Sequence, residues 1–307
     1  MELITGENDK DRRLDRILRK AMPDYPLPLI HRLIRQKKVL VDGKPGKADD
    51  RLDIGMTIII QKEFAHRTAV SQHKDTKDAK EERELNLSSL DILWESSDLL
   101  AVNKPAGLAV HGVNSLDSIV QLYLADKLSS SLSFKPGPLH RLDKPSSGIV
   151  VFSKTLKGAR VFSSLMHEHK IKKTYLAVVE GRIEKEEIWQ DNLLRDKEKK
   201  KTFIAKTHDT GKNAITKITP LSFKDGYTLI EAQIETGRTH QIRVQAAAHG
   251  FPLKGDIKYG AKKIKIKEYK TGNKEKTDIF LHAWKLEFLD VKIESPVPDG
   301  NKKAYVE

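Results

Sequence analysis

Between Lys62 and Ser88 the chain loses its apolar periodicity, and this break constrains the fold more than any other feature of the sequence. The stretch HRTAVSQHKDTKDAKEERELN mixes both charges with Ser and Thr and presents no face that a core could accept. It reads as a charged, solvated tether, 63–88, between a small unit at 1–62 and a larger one at 89–307. A chain of this length has room for about two domains. Lys plus Arg number 56 against 43 Asp plus Glu, a net charge of +13, which points to a polyanionic partner, with nucleic acid ahead of membrane. A tether would let one unit hold that partner while the other reaches a chosen group on it, raising the local concentration without fixing the geometry.

The charge excess gathers in the first unit. Leu14, Ile17, Leu18 and Ala21 recur at helical spacing before Pro23 and Pro26, and Leu29, Ile30, Leu33 and Ile34 define a second apolar face. Val39-Leu40-Val41, an Asp42-Gly43 turn and a run from Met56 to Ile60 then predict strands. From Arg12 to Lys47 eleven basic residues face three acids. On composition alone they are the solvated faces of two amphipathic helices.

From Asp91 onward strand-type runs dominate: ILWES, LLAVNKP, GIVVFSK, TYLAVVEG, TLIEAQIE and FLHAWKLEF. Helices are predicted over Leu156 to Met166 and roughly His240 to His249, while the basic stretches Lys197 to Lys201 and Lys262 to Lys276 read as loops. Strands that outnumber helices without alternating with them predict an α+β unit with a mixed, largely antiparallel sheet.

Several chemistries are excluded. No cysteine is present, so disulfides, thiolate metal sites and cysteine nucleophiles cannot occur. The Gly-Lys pairs lack the rest of a phosphate-cradling loop, no helical H-x-x-x-H pair suggests a metal, and Ser146-Ser147-Gly148 lacks the G-x-S-x-G frame of a nucleophile elbow. We therefore expect no metal. No apolar run approaches the roughly 18–20 residues of a membrane span, and MELITGENDKDRR lacks the order of a signal peptide, so no membrane partner and a cytoplasmic location are expected.

One segment stands out: PLHRLDKPSSGIVVFSK, Pro138 to Lys154, sets a single acid, Asp143, in a Pro/Gly-punctuated loop that feeds an apolar strand. By composition Asp143 is a turn residue. The segment closely resembles the HRLDxxTSG motif of the RluA family of pseudouridine synthases. LLAVNKPAGLAVHG (Leu99 to Gly112), KKTYLAVVEG (Lys172 to Gly181) and IETGRTHQIRVQAAAHGFPLKGDIKYG (Ile234 to Gly260) match further family motifs in order. The N-terminal order RLDRIL, LIHRLIRQKKVLVDGKP, RLDIGMTIII resembles the S4 RNA-binding domain, a small α/β module, over about residues 12–61. That layout is seen in members that modify large-subunit ribosomal RNA. Ser146-Ser147 stands where Thr-Ser is usual, and Gln245-Ala246 replaces a more common His-Leu or His-Met.

The resemblance implies a cofactor-independent isomerase that turns specific uridines of RNA into pseudouridine, here expected in large-subunit rRNA and as a monomer. The same chemistry on tRNA stands as the runner-up, and a non-catalytic RNA-binding or ribosome-assembly factor as the alternative of a different class. Breaking N1–C1′ and joining C5 to C1′ needs an ionised carboxylate at the ribose, a hold on the freed base and an acceptor for the C5 proton. By resemblance Asp143 is the carboxylate, Arg238 the cation that keeps it charged, and Tyr175 the face and hydroxyl against the flipped uracil. Arg141, with His140 assisting, would contact RNA around the flipped nucleotide, and Leu281 would pack on the base. Arg13, Arg16, Arg32, Arg35, Lys37 and Lys38 are the expected phosphate contacts of the first unit.

Overall fold

The computed structural model describes residues 1–61, 90–125, 127–128, 131–196, 198, 201–205, 210–262 and 279–298. The proposed tether, and all of the Lys262 to Lys276 stretch beyond its first residue, lie outside the described residues.

In the N-terminal unit the two predicted helices form as α1 (Leu14–Ala21) and α2 (Leu27–Arg35). Pro28 is tolerated in the first turn of α2, where no intrahelical N–H bond is lost. Leu14, Ile17, Leu18, Ile30 and Leu33 are fully buried, and the strands Val39–Val41 and Thr57–Ile60 pair antiparallel beside them. The opening residues Glu2–Ile4 add an edge strand to the same sheet.

Among the described residues the larger unit is built on an eleven-stranded sheet. Counting the six strands of the N-terminal unit as β1–β6, the sheet's strands lie in the order β13 (Lys201–Ile204), β12 (Glu187–Asp196), β14 (Lys212–Lys224), β15 (Tyr227–Ile234), β11 (Lys172–Glu180), β16 (Leu281–Phe288), β10 (Ser147–Ser153), β8 (Leu99–Lys104) and β7 (Ile92–Glu95), with β9 (Gly137–Pro138) beside β10 and β17 (Val291–Glu294) beside β16. Among the described residues every strand pair of this sheet is antiparallel except β10 with β16, so the mixed, largely antiparallel sheet is as the sequence predicts. Strand β10 is buried throughout: Val150 and Phe152 join the core on one face, Ile149 and Val151 the core on the other. This two-sided burial is why GIVVF reads as a continuous apolar run rather than an alternating one. Helix α3 (Leu116–Ala125) packs Leu116, Val120 and Leu124 on the first face, and helix α4 (Leu156–His167), capped by Thr155, packs Phe162 and Leu165 on the second.

The expectation that the two units are joined without fixed geometry is corrected. Asp9 of the first unit is fully buried and accepts hydrogen bonds from Ser131 Oγ (2.9 Å), Leu132 N (3.0 Å), Ser133 N (2.9 Å) and the Ser133 hydroxyl of the second. Arg12 donates to Ser133 O, the Leu156 amide donates to Asn8 Oδ1, and Leu132 packs on the first unit's core. A carboxylate that leaves water must satisfy its lone pairs at the seam, so these bonds favour one docked orientation.

Candidate active site

Asp143 lies in the loop that enters β10. The turn is closed by Ser146 N donating to Asp143 O, and the loop is pinned from below by Lys104. That lysine is fully buried and donates to the carbonyls of Pro105, Leu108 and Lys144 at 2.8, 2.8 and 3.3 Å. Burial pulls its pKa down to about 8, with the charge of Asp143 acting in the opposite direction. At the start of β10, Gly148 has φ +106°, and a Cβ there would stand 2.2 Å from Ala283 O, so only glycine lets β10 approach β16 in parallel. The same approach brings Leu281 of β16 and Tyr175 of β11 to the walls of the cavity that contains Asp143. Burial, and then the neighbouring Asp143 charge, raise the Tyr175 pKa well above its ordinary value, which keeps it a phenol.

The remaining wall is helix α5 (Gln241–Ala248), whose polar residues are buried along with its apolar ones. Arg243 Nη1 donates to Asp143 Oδ2 at 2.9 Å, while its Nε and Nη2 form a fork with Asp256 at 2.6 and 2.8 Å. Burial opposes the charge on Arg243, but its hydrogen bonds to Asp256 and Asp143 more than offset this and leave its pKa raised. His240, just before the helix, directs Nε2 toward Asp143 Oδ1 at 3.6 Å.

The predicted site residues separate into groups. Asp143, Tyr175, Leu281, Arg141 and Arg238 line one cavity. Within it, the expected pairing of Arg238 with Asp143 is wrong. Arg238 Nε donates to Asn213 O at 2.9 Å, and the cation on the carboxylate is Arg243. The two arginines differ in support: Arg238 lies in the half-buried loop before the helix, whereas Arg243 projects from a buried helical turn with Asp256 behind it. The signal available in the sequence was that an arginine among Ile242, Val244 and Ala246 needs a carboxylate partner.

His140 is also corrected. It accepts the Val151 amide on Nε2 at 3.1 Å and stacks on Phe162, away from the cavity. Burial, reinforced by Lys173, lowers its pKa to about 4, so it serves the fold as a neutral acceptor. Gln245 is fully buried, accepting from Thr216 Oγ1 and donating to Trp189 O and Asp191 Oδ2, so this departure from the family pattern is a packing feature. In the first unit Arg16, Arg32, Arg35 and Lys37 are exposed and Lys38 is half-buried, while Arg13 is already engaged with Asp15 at 2.9 Å. Lys201, read as part of a loop, begins strand Lys201–Ile204. Among the described residues no group of acids and histidines forms a metal cluster, and no helix is long and apolar enough to cross a membrane.

The RNA pseudouridylate synthase family model matches residues 98–248, and the S4 domain model matches 12–58. The chain is 30% identical to the uncharacterized RNA pseudouridine synthase YlyB of Bacillus subtilis, over 86% of this chain and 84% of that protein. It is 31% identical to ribosomal large subunit pseudouridine synthase D of Neisseria meningitidis, over 94% and 76%. With ribosomal large subunit pseudouridine synthase C of Vibrio parahaemolyticus the identity is 30%, over 98% and 94%. The fold matches human RNA pseudouridylate synthase domain containing 4 with a TM-score of 0.58 at 22% identity, covering 72% of this chain and 94% of that one. The chain belongs to the RNA pseudouridine synthase family, as an isomerase that acts on RNA and carries an S4 domain ahead of its catalytic unit.

Proposed function

We propose that this synthase modifies uridines of large-subunit ribosomal RNA, with Asp143 as the carboxylate that engages the ribose of a flipped nucleotide. The observation that carries the reading is the position of Asp143, with Oδ2 held by Arg243 and Tyr175 and Leu281 lining the same cavity. Extruding a nucleotide costs a few kcal/mol, and an aromatic face and an apolar wall are the surfaces on which a freed base is retained. Arg141 and Arg238, which line the same cavity, would meet RNA phosphates. The substrate assignment is supported by the relatives named for the large subunit and by the S4 domain. We further infer unit boundaries of 1–62 and 89–307 with a tether at 63–88, a monomer, and a cytoplasmic site of action.

The test is release of tritium from C5-labelled uridine in unmodified large-subunit rRNA, without added metal or nucleotide, by the wild type and by Asp143→Asn. Release by the wild type alone is expected. Release from tRNA but not from rRNA moves the substrate to tRNA, and full release by Asp143→Asn defeats the role given to the carboxylate.

A further inference from the structure

One oxygen of Asp143 is held by Arg243, and the other faces His240. Taking Asp143 as the catalytic carboxylate, we propose that His240 is a positioning residue for it, and that Tyr259, held by the backbone of strand Lys201–Ile204, sets the imidazole tautomer that makes this possible.

Tyr259 Oη lies 2.7 Å from His240 Nδ1 and accepts the Thr202 amide at 3.1 Å. Two proton arrangements satisfy the His240–Tyr259 contact. If Nδ1–H donates to Oη, the bare lone pair of Nε2 points at a carboxylate oxygen, which is repulsive. If Oη–H donates to Nδ1, then Nε2 carries the proton toward Asp143 Oδ1, which is attractive. The carboxylate disfavours the first arrangement, and the phenolic proton given to Nδ1 locks the second. The Thr202 amide agrees with it, because it occupies an Oη lone pair and leaves the phenolic proton free to be given to the ring. Burial lowers the His240 pKa, with Asp143 opposing and Arg243 and Lys258 assisting, so the ring is neutral and has a tautomer to set. The 3.6 Å gap from Nε2 to Oδ1 is longer than a formed hydrogen bond, a spacing that catalytic contacts often show before substrate enters.

His240 has φ +56° and ψ +26°, a left-handed conformation that Asn accepts more readily than most side chains. With Arg243 on Oδ2 and His240 beside Oδ1, rotation of the carboxylate is resisted from both sides. Strand 201–204 thus acts on the reaction centre through Thr202, Tyr259 and His240 in turn.

Three variants of the full chain separate this role from a structural one. His240→Asn suits the backbone, but its amide reaches only the position of Nδ1; His240→Gln fits the backbone less well, but its amide nitrogen reaches the position of Nε2. Tyr259→Phe keeps the ring and removes the proton that fixes the tautomer. We expect single-turnover tritium release to fall about 10-fold or more in His240→Asn and in Tyr259→Phe, a scale set by the roughly 100-fold cost of a misplaced reacting group. RNA affinity should not change. His240→Gln should recover most of the rate while melting below His240→Asn. A purely structural role predicts the reverse ranking, with the stable Asn variant fully active, and that ranking would overturn the proposal. Nitrogen-15 spectra of the wild type should show the His240 proton on Nε2, and a proton on Nδ1 would equally overturn it. Full activity of Asp143→Asn would defeat the catalytic reading itself, whereas full activity of His240→Asn beside an inactive Asp143→Asn would defeat only this inference.

Discussion

The first unit and the catalytic cavity both depend on cations, but they use them in opposite ways. Arg16, Arg32, Arg35 and Lys37 stand exposed on and just after the helix pair. Arg243 is 5% exposed and shared between two carboxylates, and Lys104 is fully buried on three carbonyls. An exposed cation costs little to maintain and is screened by salt, so it contributes affinity over a broad surface. A buried one costs several kcal/mol to desolvate and persists only where its geometry is saturated, so it fixes the shape of a site. The same residue type is therefore a contact in one region and a positioning element in the other.

The largest test of this contrast sets Arg243→Ala against Arg238→Ala. Removing Arg243 leaves Asp143 and Asp256 without their shared counter-charge. Turnover should fall about 10²–10³-fold or more, and stability by about 3–5 kcal/mol. Arg238 contributes a hydrogen bond to a neutral carbonyl from a half-buried position. Its loss should cost about 1 kcal/mol or less in stability and leave the chemical step within about 10-fold of wild type. Equal losses at the two positions would show that both arginines act on Asp143.

A second test concerns a buried group that never meets the substrate. The folded-state pKa of His140 lies near 4, below the ordinary imidazole value of 6.5. Between those values the unfolded chain binds a proton that the native state rejects, so the stability held above pH 6.5 is lost as pH falls toward 4. His240 and His282 are lowered in the same direction, chiefly by burial. Urea midpoints measured from pH 7.5 to 4.5 should fall with acid, and His140→Gln should flatten part of that fall. An unchanged slope would place the acid sensitivity in the other two imidazoles.

At the seam, Asp9→Ala removes the acceptor for four hydrogen bonds from residues 131–133. Burial raises the Asp9 pKa, but these bonds together with that from Gly6 more than offset it and leave it below the ordinary 3.8. The contribution to docking is present above that value and disappears only as pH falls through the lower folded-state pKa. The variant should lose about 1–3 kcal/mol at the seam and show a larger radius of gyration by small-angle scattering. An unchanged radius would assign docking to Arg12, Asn8 and the packing of Leu132.

What was legible in the sequence follows the same division. Helices α1 and α2 could be read because one face is core and the other water, and β10, β11 and β16 because their apolar runs are long. Strands Glu187–Asp196 and Lys212–Lys224 were missed because one face of each is largely solvated and Lys217, Pro220 and Lys224 interrupt the β-type composition. Within the site, Asp143, Tyr175 and Leu281 came from motif resemblance. Arg243 did not: its apolar neighbours Ile242, Val244 and Ala246 show that it needs a carboxylate, but which carboxylate it meets depends on where Asp256, Asp143 and the helix axis fall. The roles of Asp9 and Thr202 likewise depend on contacts between segments distant in the chain.

The smallest effects belong to the exposed cations, and they sharpen the comparison most finely. Each phosphate neutralised contributes about −0.7 to the slope of log K against log salt for single-stranded RNA. Substituting Arg16, Arg35 or Lys37 by Gln should therefore make the slope shallower by about 0.7 per lost contact, with little change in single-turnover rate. Arg13→Gln should move it less, because Asp15 already neutralises that guanidinium in the free protein, and breaking the pair to reach a phosphate returns part of the gain. If Arg13 instead gave the full change and Arg16 none, the RNA would lie along the edge formed by Arg12–Arg13 and Arg51–Leu52 rather than across the helix pair. The exposed residues would then divide, as the buried ones do, by what stands behind them rather than by their charge.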